Sequence, residues 1–251
     1  MKELTKRILK FFGYQINKYK NIYVLNSNHF LPIKENDYDW KLNSTAFKKS
    51  KNKNYDFWTN VRYYSLTQLV KQVLKQKKVY DFAELGCWKG HSSYITAELI
   101  KKSKKKILFH IFDSFEGLSK STSNDKYFNN IDTIEKKRIS KQFSSSEIFI
   151  KNEILYKYNF IKTYKGWIPK KFFKVKNKKF SLVFIDLCMY KPTLASLEFF
   201  YPRLVKGGII ISNSYNSGAF PGETAAWNKY FKNKKVNFFF KHALNGSFII
   251  K

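Results

Sequence analysis

Apolar residues along this chain follow two periods. Short apolar runs at residues 79–83, 107–112, 159–164, 180–185 and 209–211 read as buried strands. Helical stripes lie between them: Phe57, Val61, Leu66, Leu69, Val70 and Leu74 in the first, Tyr94, Ile95 and Leu99 in the second, Leu194, Leu197, Tyr201 and Leu204 in a third. A further helix opens at Pro221-Gly222-Glu223 and runs through Trp227 and Phe231. Residues 236–240 and 247–250 read as two last strands joined through Asn245-Gly246, a hairpin signature. Strands alternating with helices predict a Rossmann-like α/β fold, a doubly wound and mostly parallel sheet that ends in an antiparallel hairpin.

Ligands of such sheets bind beyond the carboxyl ends of the strands, and three predicted strands end there in an acid: Glu84, Asp113 and Asp186. The first of them leads into Glu84-Leu85-Gly86 and, four residues on, Gly90, where a helix begins. Glycines let backbone approach where a β-carbon would collide. The spacing E-x-G-x-x-x-G puts an acid where dinucleotide enzymes have their first glycine. That suits a ligand with an amino group and no pyrophosphate, such as S-adenosylmethionine. Asp113, at the end of the next strand, is placed to accept hydrogen bonds from both ribose hydroxyls, or to cap the turn after it, with Ser114 alongside. Gly166-Trp167 after the third strand offers an indole either to an adenine ring or to the core under a loop. His110, within a strand, reads as a packed histidine. Asp125, Asp132 and Glu135 lie in a polar stretch without metal spacing and read as solvated charges.

Residues 1–54 read as an N-terminal extension and 55–251 as the catalytic domain. The first twelve residues form a basic amphipathic segment expected to be helical, which either packs on its own domain, builds a homodimer, or lies on an anionic surface. Residues 14–54 show no sustained period and are expected to be irregular. Composition alters the picture in one respect. The chain carries 48 Lys and Arg against 18 Asp and Glu, a net charge of +30. Such a field favours anionic acceptors, including phosphorylated ones. The lysines are scattered, as coding composition alone would produce, and no N/D-P-P-Y stretch of the kind used on exocyclic amines occurs, so a nucleic-acid substrate is disfavoured. Two cysteines, Cys87 and Cys188, make no disulfide framework, and no apolar run is long enough to span a bilayer. Together these point to a cytoplasmic protein.

The motifs A-E-L-G-C-W-K-G-H-S-S (83–93), I-F-D-S-F-E-G-L (111–118), K-G-W-I-P (165–169), F-I-D-L-C-M-Y-K-P-T (184–193) and P-G-E-T-A-A-W (221–227) resemble, in content and order, class I S-adenosylmethionine-dependent methyltransferases. More closely, the chain is similar to the macrocin O-methyltransferase family, which acts on hydroxyls of sugars and secondary metabolites. The resemblance implies Glu84, Gly86 and Gly90 at the methionine end of the cofactor, Asp113 on the ribose, and Gly166 and Trp167 near the adenine. It also implies a divalent metal such as magnesium, held by carboxylates, and a carboxylate base. Here the chain departs from its relatives. Their I-D-G-D-x-Y is Asp186-Leu187-Cys188-Met189-Tyr190, and their D-D-Y is Asn213-Ser214-Tyr215. Asp186 and Asn213 are the only metal candidates left at family positions, and one charge among them is a poor offer to a hard cation. A metal-free reaction on a small-molecule or glycan hydroxyl is the expectation, with Asp186 or His242 as the base; Cys188 reads as a packed thiol. The alternative is a cofactor-binding protein that has lost catalysis and serves a partner.

Overall fold

The structure is a computed structural model that describes residues 14–19, 22–27, 37–52, 57–236, 238–241 and 246–251. The chain divides into two compact units, Met1–Lys41 and Leu42–Lys251. The expected helix of the first twelve residues lies outside the described residues.

In the first unit, β1 (Tyr14–Tyr19) pairs antiparallel with β2 (Ile22–Ser27), from Tyr14↔Ser27 to Tyr19↔Ile22. This corrects the expectation of an irregular segment, as does a later helix, α1 (Tyr38–Lys49), most of which belongs to the second unit. Six-residue strands of Ile, Val and Tyr interleaved with Asn and Lys are too short to establish a period, yet need only a partner of the same kind. Asp37 starts α1: its Oδ1 accepts from the amides of Asp39 (2.8 Å) and Trp40 (3.1 Å).

The second unit is a seven-stranded sheet between two helical layers. Its elements are α2 (Phe57–Leu74), β3 (Asp81–Leu85), α3 (His91–Ser103), β4 (Phe109–Asp113), α4 (Thr133–Gln142), β5 (Ile161–Lys165), β6 (Phe180–Ile185), α5 (Tyr190–Arg203), β7 (Leu204–Ser212), α6 (Pro221–Phe231), β8 (Phe238–Lys241) and β9 (Ser247–Ile250). Strand order is β5-β4-β3-β6-β7-β9-β8. The first five strands are parallel; β9 runs antiparallel to both β7 and β8. The predicted doubly wound sheet with its terminal hairpin is therefore the observed one. β6, apolar at every position but Ser181, is buried throughout because helices cover both faces. One face carries Leu66, Val70 and Val73 of α2 with Ile95 and Ile100 of α3. The other carries Leu197 and Phe200 of α5 with Trp227 of α6. Leu204, expected to end the stripe of α5, instead opens β7, because Pro202 closes the helix just before it.

The order of the strands reverses between β3 and β6, so their carboxyl ends frame the crevice where doubly wound sheets take ligands. Gly86 closes the bottom of that crevice. Its φ is +86°, and a β-carbon there would overlap the carbonyl oxygen of Asp186. Its amide donates to Phe112 O (2.8 Å), while the amide of Asp186 donates to Leu85 O (2.9 Å), so one tight turn binds both neighbouring strands.

Candidate functional site

Asp113 organises the glycine turn. Its Oδ2 accepts from the amides of Cys87 (2.7 Å) and Trp88 (2.9 Å), and Oδ1 from the amide of Phe115 (2.7 Å). Trp88 sits at φ +45° and Phe115 at +61°, sparsely populated angles that these bonds hold in place. Ser114 closes the same turn, accepting from the Glu116 amide (3.1 Å) and donating to Gly117 O (3.3 Å). A cleft opens above, lined by Gly86, Trp88, Asp113, Ser114, Trp167 and Asp186 among others. Phe143, just after α4, borders it and packs on Trp88 with ring centroids 6.0 Å apart. Gly166 succeeds β5 with φ +143° and hands the chain to Trp167.

Glu84 lies beneath the turn and does not line the cleft. It is buried, its two oxygens accepting from the hydroxyls of Ser92 and Ser93 at the start of α3. Burial pushes its carboxyl up to about 8, against the two serine bonds. Gly90, at φ +76°, turns toward Ile150 and Ile154. Beside it His91 is buried with no hydrogen-bond partner for either ring nitrogen among the described residues. It stacks on Tyr63 (4.2 Å between centroids), and burial, with the Arg62 charge, lowers its pKa to about 3. These shifts set the pH dependence of stability. The folded protein keeps protons on Glu84 that the unfolded chain releases above its ordinary value of 4.5, so stability falls as pH rises from about 4.5 to 8. His91 acts oppositely, its share lost as pH falls from 6.5 toward 3. Thermal melting should therefore give a higher Tm near pH 6 than near pH 8.5, with Glu84→Gln removing most of the difference, which is of the order of a few kcal/mol.

At the ends of β6 and β7 the structure gathers Asp186, Cys188, Asn213 and Ser214. Asn213 Nδ2 donates to Asp186 Oδ2 (2.9 Å) and Ser214 Oγ to Oδ1 (3.5 Å). Burial raises the Asp186 carboxyl above its ordinary value; Arg62 and the two hydrogen bonds oppose the rise. Cys188 is buried at φ +62°, a conformation in which Asp and Asn are enriched among non-glycine residues. Burial and the neighbouring carboxylates push its thiol well up, which works against a thiolate. Sequence reading missed Glu223. It is fully buried and accepts from the amides of Cys188 (3.0 Å) and Ser214 (3.3 Å) and from the Ser212 hydroxyl, fastening both strand ends to α6. Its pKa is raised to about 7, first by burial and then by Asp186. In P-G-E-T it reads only as an acid in a helix's first turn, and nothing local says that it faces inward.

The donors left for a divalent cation do not fit one. Asp186 brings a single carboxylate already engaged by two side chains, and no group of three His, Cys, Asp or Glu able to hold a metal occurs among the described residues. The cleft does suit a nucleoside, with a carboxylate at Asp113 and an indole at Trp167 on its walls. His242 lies outside the described residues. Asp125, expected as a solvated charge, is buried: it accepts from the Tyr190 amide (2.9 Å) and ties the segment before α4 to α5. Asp132 caps α4 through the Glu135 amide (2.8 Å), and Glu135 pairs with Arg138. His110 is packed between Asp81 (3.1 Å) and Tyr164 (3.0 Å), as expected.

The family model for macrocin-O-methyltransferase (TylF) matches residues 8–243. No curated protein sequence matches the chain. Among solved structures, the chain is similar to the O-methyltransferase NovP at 18% identity and TM-score 0.61, covering 76% of this chain and 79% of that one. It is similar to the calicheamicin methyltransferase CalS11 at 15% identity and TM-score 0.56, covering 84% and 91%. At these identities the two structures speak to a shared fold.

Proposed function

The chain belongs to the macrocin-O-methyltransferase (TylF) family, and on that premise we propose that it methylates a hydroxyl of a small-molecule or glycan acceptor from S-adenosylmethionine, without a divalent cation. One observation carries the reading: Asp113, Trp167 and Asp186 line a single cleft at the switch point between β3 and β6. The match to the macrocin-O-methyltransferase family supports a hydroxyl on a secondary metabolite as the acceptor.

When bound, S-adenosylmethionine supplies a methyl group activated on a sulfonium. Asp113 holds the ribose with the lone pairs left over from the turn, and Trp167 flanks the adenine. Asp186 takes the proton of the acceptor hydroxyl. Its raised pKa makes it a stronger base than an ordinary aspartate, and Asn213 and Ser214 keep its carboxylate aimed. Holding the nucleophile in line supplies much of the remaining acceleration.

Calorimetry tests the reading at its first step. S-adenosylmethionine should bind indifferently to magnesium, and Asp113→Ala should weaken binding by about a hundredfold or more, since it removes ribose hydrogen bonds to a charged group and frees the turn. Absence of binding to the wild type, in any buffer, would defeat the assignment. Tight binding with no S-adenosylhomocysteine released from a broad panel of hydroxyl acceptors would instead favour the lapsed regulatory protein.

A further inference from the structure

A second cavity, of about 370 Å³, lies between α2, the ends of β6 and β7, and the β8–β9 hairpin. Leu66, Leu69, Phe184, Ile211, Phe240 and Phe248 make its walls apolar. Its polar lining includes Arg62, Asn213 and Ser247. Through Asn213, which donates to Asp186, it adjoins the cofactor cleft with one hydrogen-bonded pair between the two.

Two of its polar groups are unspent. Ser247 is buried and its hydroxyl has no partner among the described residues; Arg62 Nε is shut off from solvent and has none there either. Among the described residues Arg62 forms no ion pair, its one ring contact being with Tyr63, 5.8 Å from guanidinium to centroid. An arginine that forms no ion pair among the described residues, on the wall of an apolar cavity, suits an anionic ligand.

We propose that this cavity holds the acceptor, that the acceptor is a molecule with an apolar or aromatic body and an anionic oxygen group, and that Arg62 binds that group beside Asp186. The inference rests on the methyltransferase reading and adds the chemical class of the substrate. With Arg62 near Asp186, the positive charge that steadies an oxygen anion comes from the protein itself. The Arg62 charge is felt at the site, since it lowers both Asp186 and Cys188 against their burial.

A pair of fluorescent probes tests this without knowledge of the natural acceptor: anilinonaphthalene sulfonate and uncharged anilinonaphthalene, titrated at high salt to screen the surface lysines. Both should bind the wild type saturably. Arg62→Met should weaken the sulfonate by about 10–100-fold, as expected for losing hydrogen bonds to a charged group, and leave the uncharged dye unchanged. Arg62→Lys should recover part of the loss. Leu69→Trp, which fills the cavity, should abolish both. S-adenosylhomocysteine affinity, measured in parallel, should be the same in all four proteins. Sulfonate binding indifferent to Arg62→Met would overturn the proposal. A loss of S-adenosylhomocysteine affinity in that variant would also overturn it, since Arg62 would then serve the cofactor's carboxylate. Failure of the wild type to bind S-adenosylhomocysteine defeats the methyltransferase reading itself, whatever the dyes do.

Discussion

Asp186→Asn is expected to lower turnover by about two to four orders of magnitude, the range a general base contributes, while cofactor affinity and Tm change little. The amide fits the same place: its oxygen can accept from Asn213, and its nitrogen can donate to the Ser214 hydroxyl, which accepts as readily as it donates. What the amide lacks is any way to take up a proton. The pH profile separates this from a packing defect. In the wild type kcat should climb with pH through the raised pKa of Asp186 and then level off; in the variant the residual rate should lack that limb. The profile is best taken with whichever panel acceptor turns over fastest, monitoring S-adenosylhomocysteine release. Turnover within a few-fold of wild type would remove Asp186 from the base role and leave His242 as the remaining candidate.

The parts of this site that are legible in the sequence are those whose chemistry is local. The E-x-G-x-x-x-G turn announces itself because Gly86 needs a positive φ and leaves no room for a β-carbon. Asp113 and Asp186 are legible because each ends a short apolar run that reads as a buried strand. Long-range partnerships leave no such trace. Arg62 is one polar residue on an amphipathic helix, and its relation to Asp186 exists only once α2 lies over the ends of β6 and β7. Asp125 looks solvated until the chain brings it to the Tyr190 amide, 65 residues away. The β1–β2 hairpin escapes for another reason: each strand is shorter than the window that a period needs. The departures at Cys188, Asn213 and Ser214 are legible one by one, but they do not say what stands in place of the lost carboxylates.

Glu223 is where this limit has the largest energetic consequence. Glu223→Ala should destabilise the fold by about 4 kcal/mol, read as a lower urea midpoint, because it strands the Cys188 and Ser214 amides and the Ser212 hydroxyl in a buried place. Each of those donors belongs to a strand end that positions Asp186 or its two hydrogen-bond donors, so turnover should fall as well, even at temperatures where the variant is fully folded. Glu223→Gln tests whether shape or acceptor capacity matters. The glutamine keeps the volume but turns one acceptor into a donor facing backbone amides, so it should recover only part of the stability. Should Glu223→Ala melt like the wild type, the carboxylate is no latch, and the burial that raises it to about 7 would be a cost without a compensating bond. Should stability fall while turnover at low temperature stays intact, the strand ends hold their positions without α6, and the precision of the Asp186 site comes from the sheet alone.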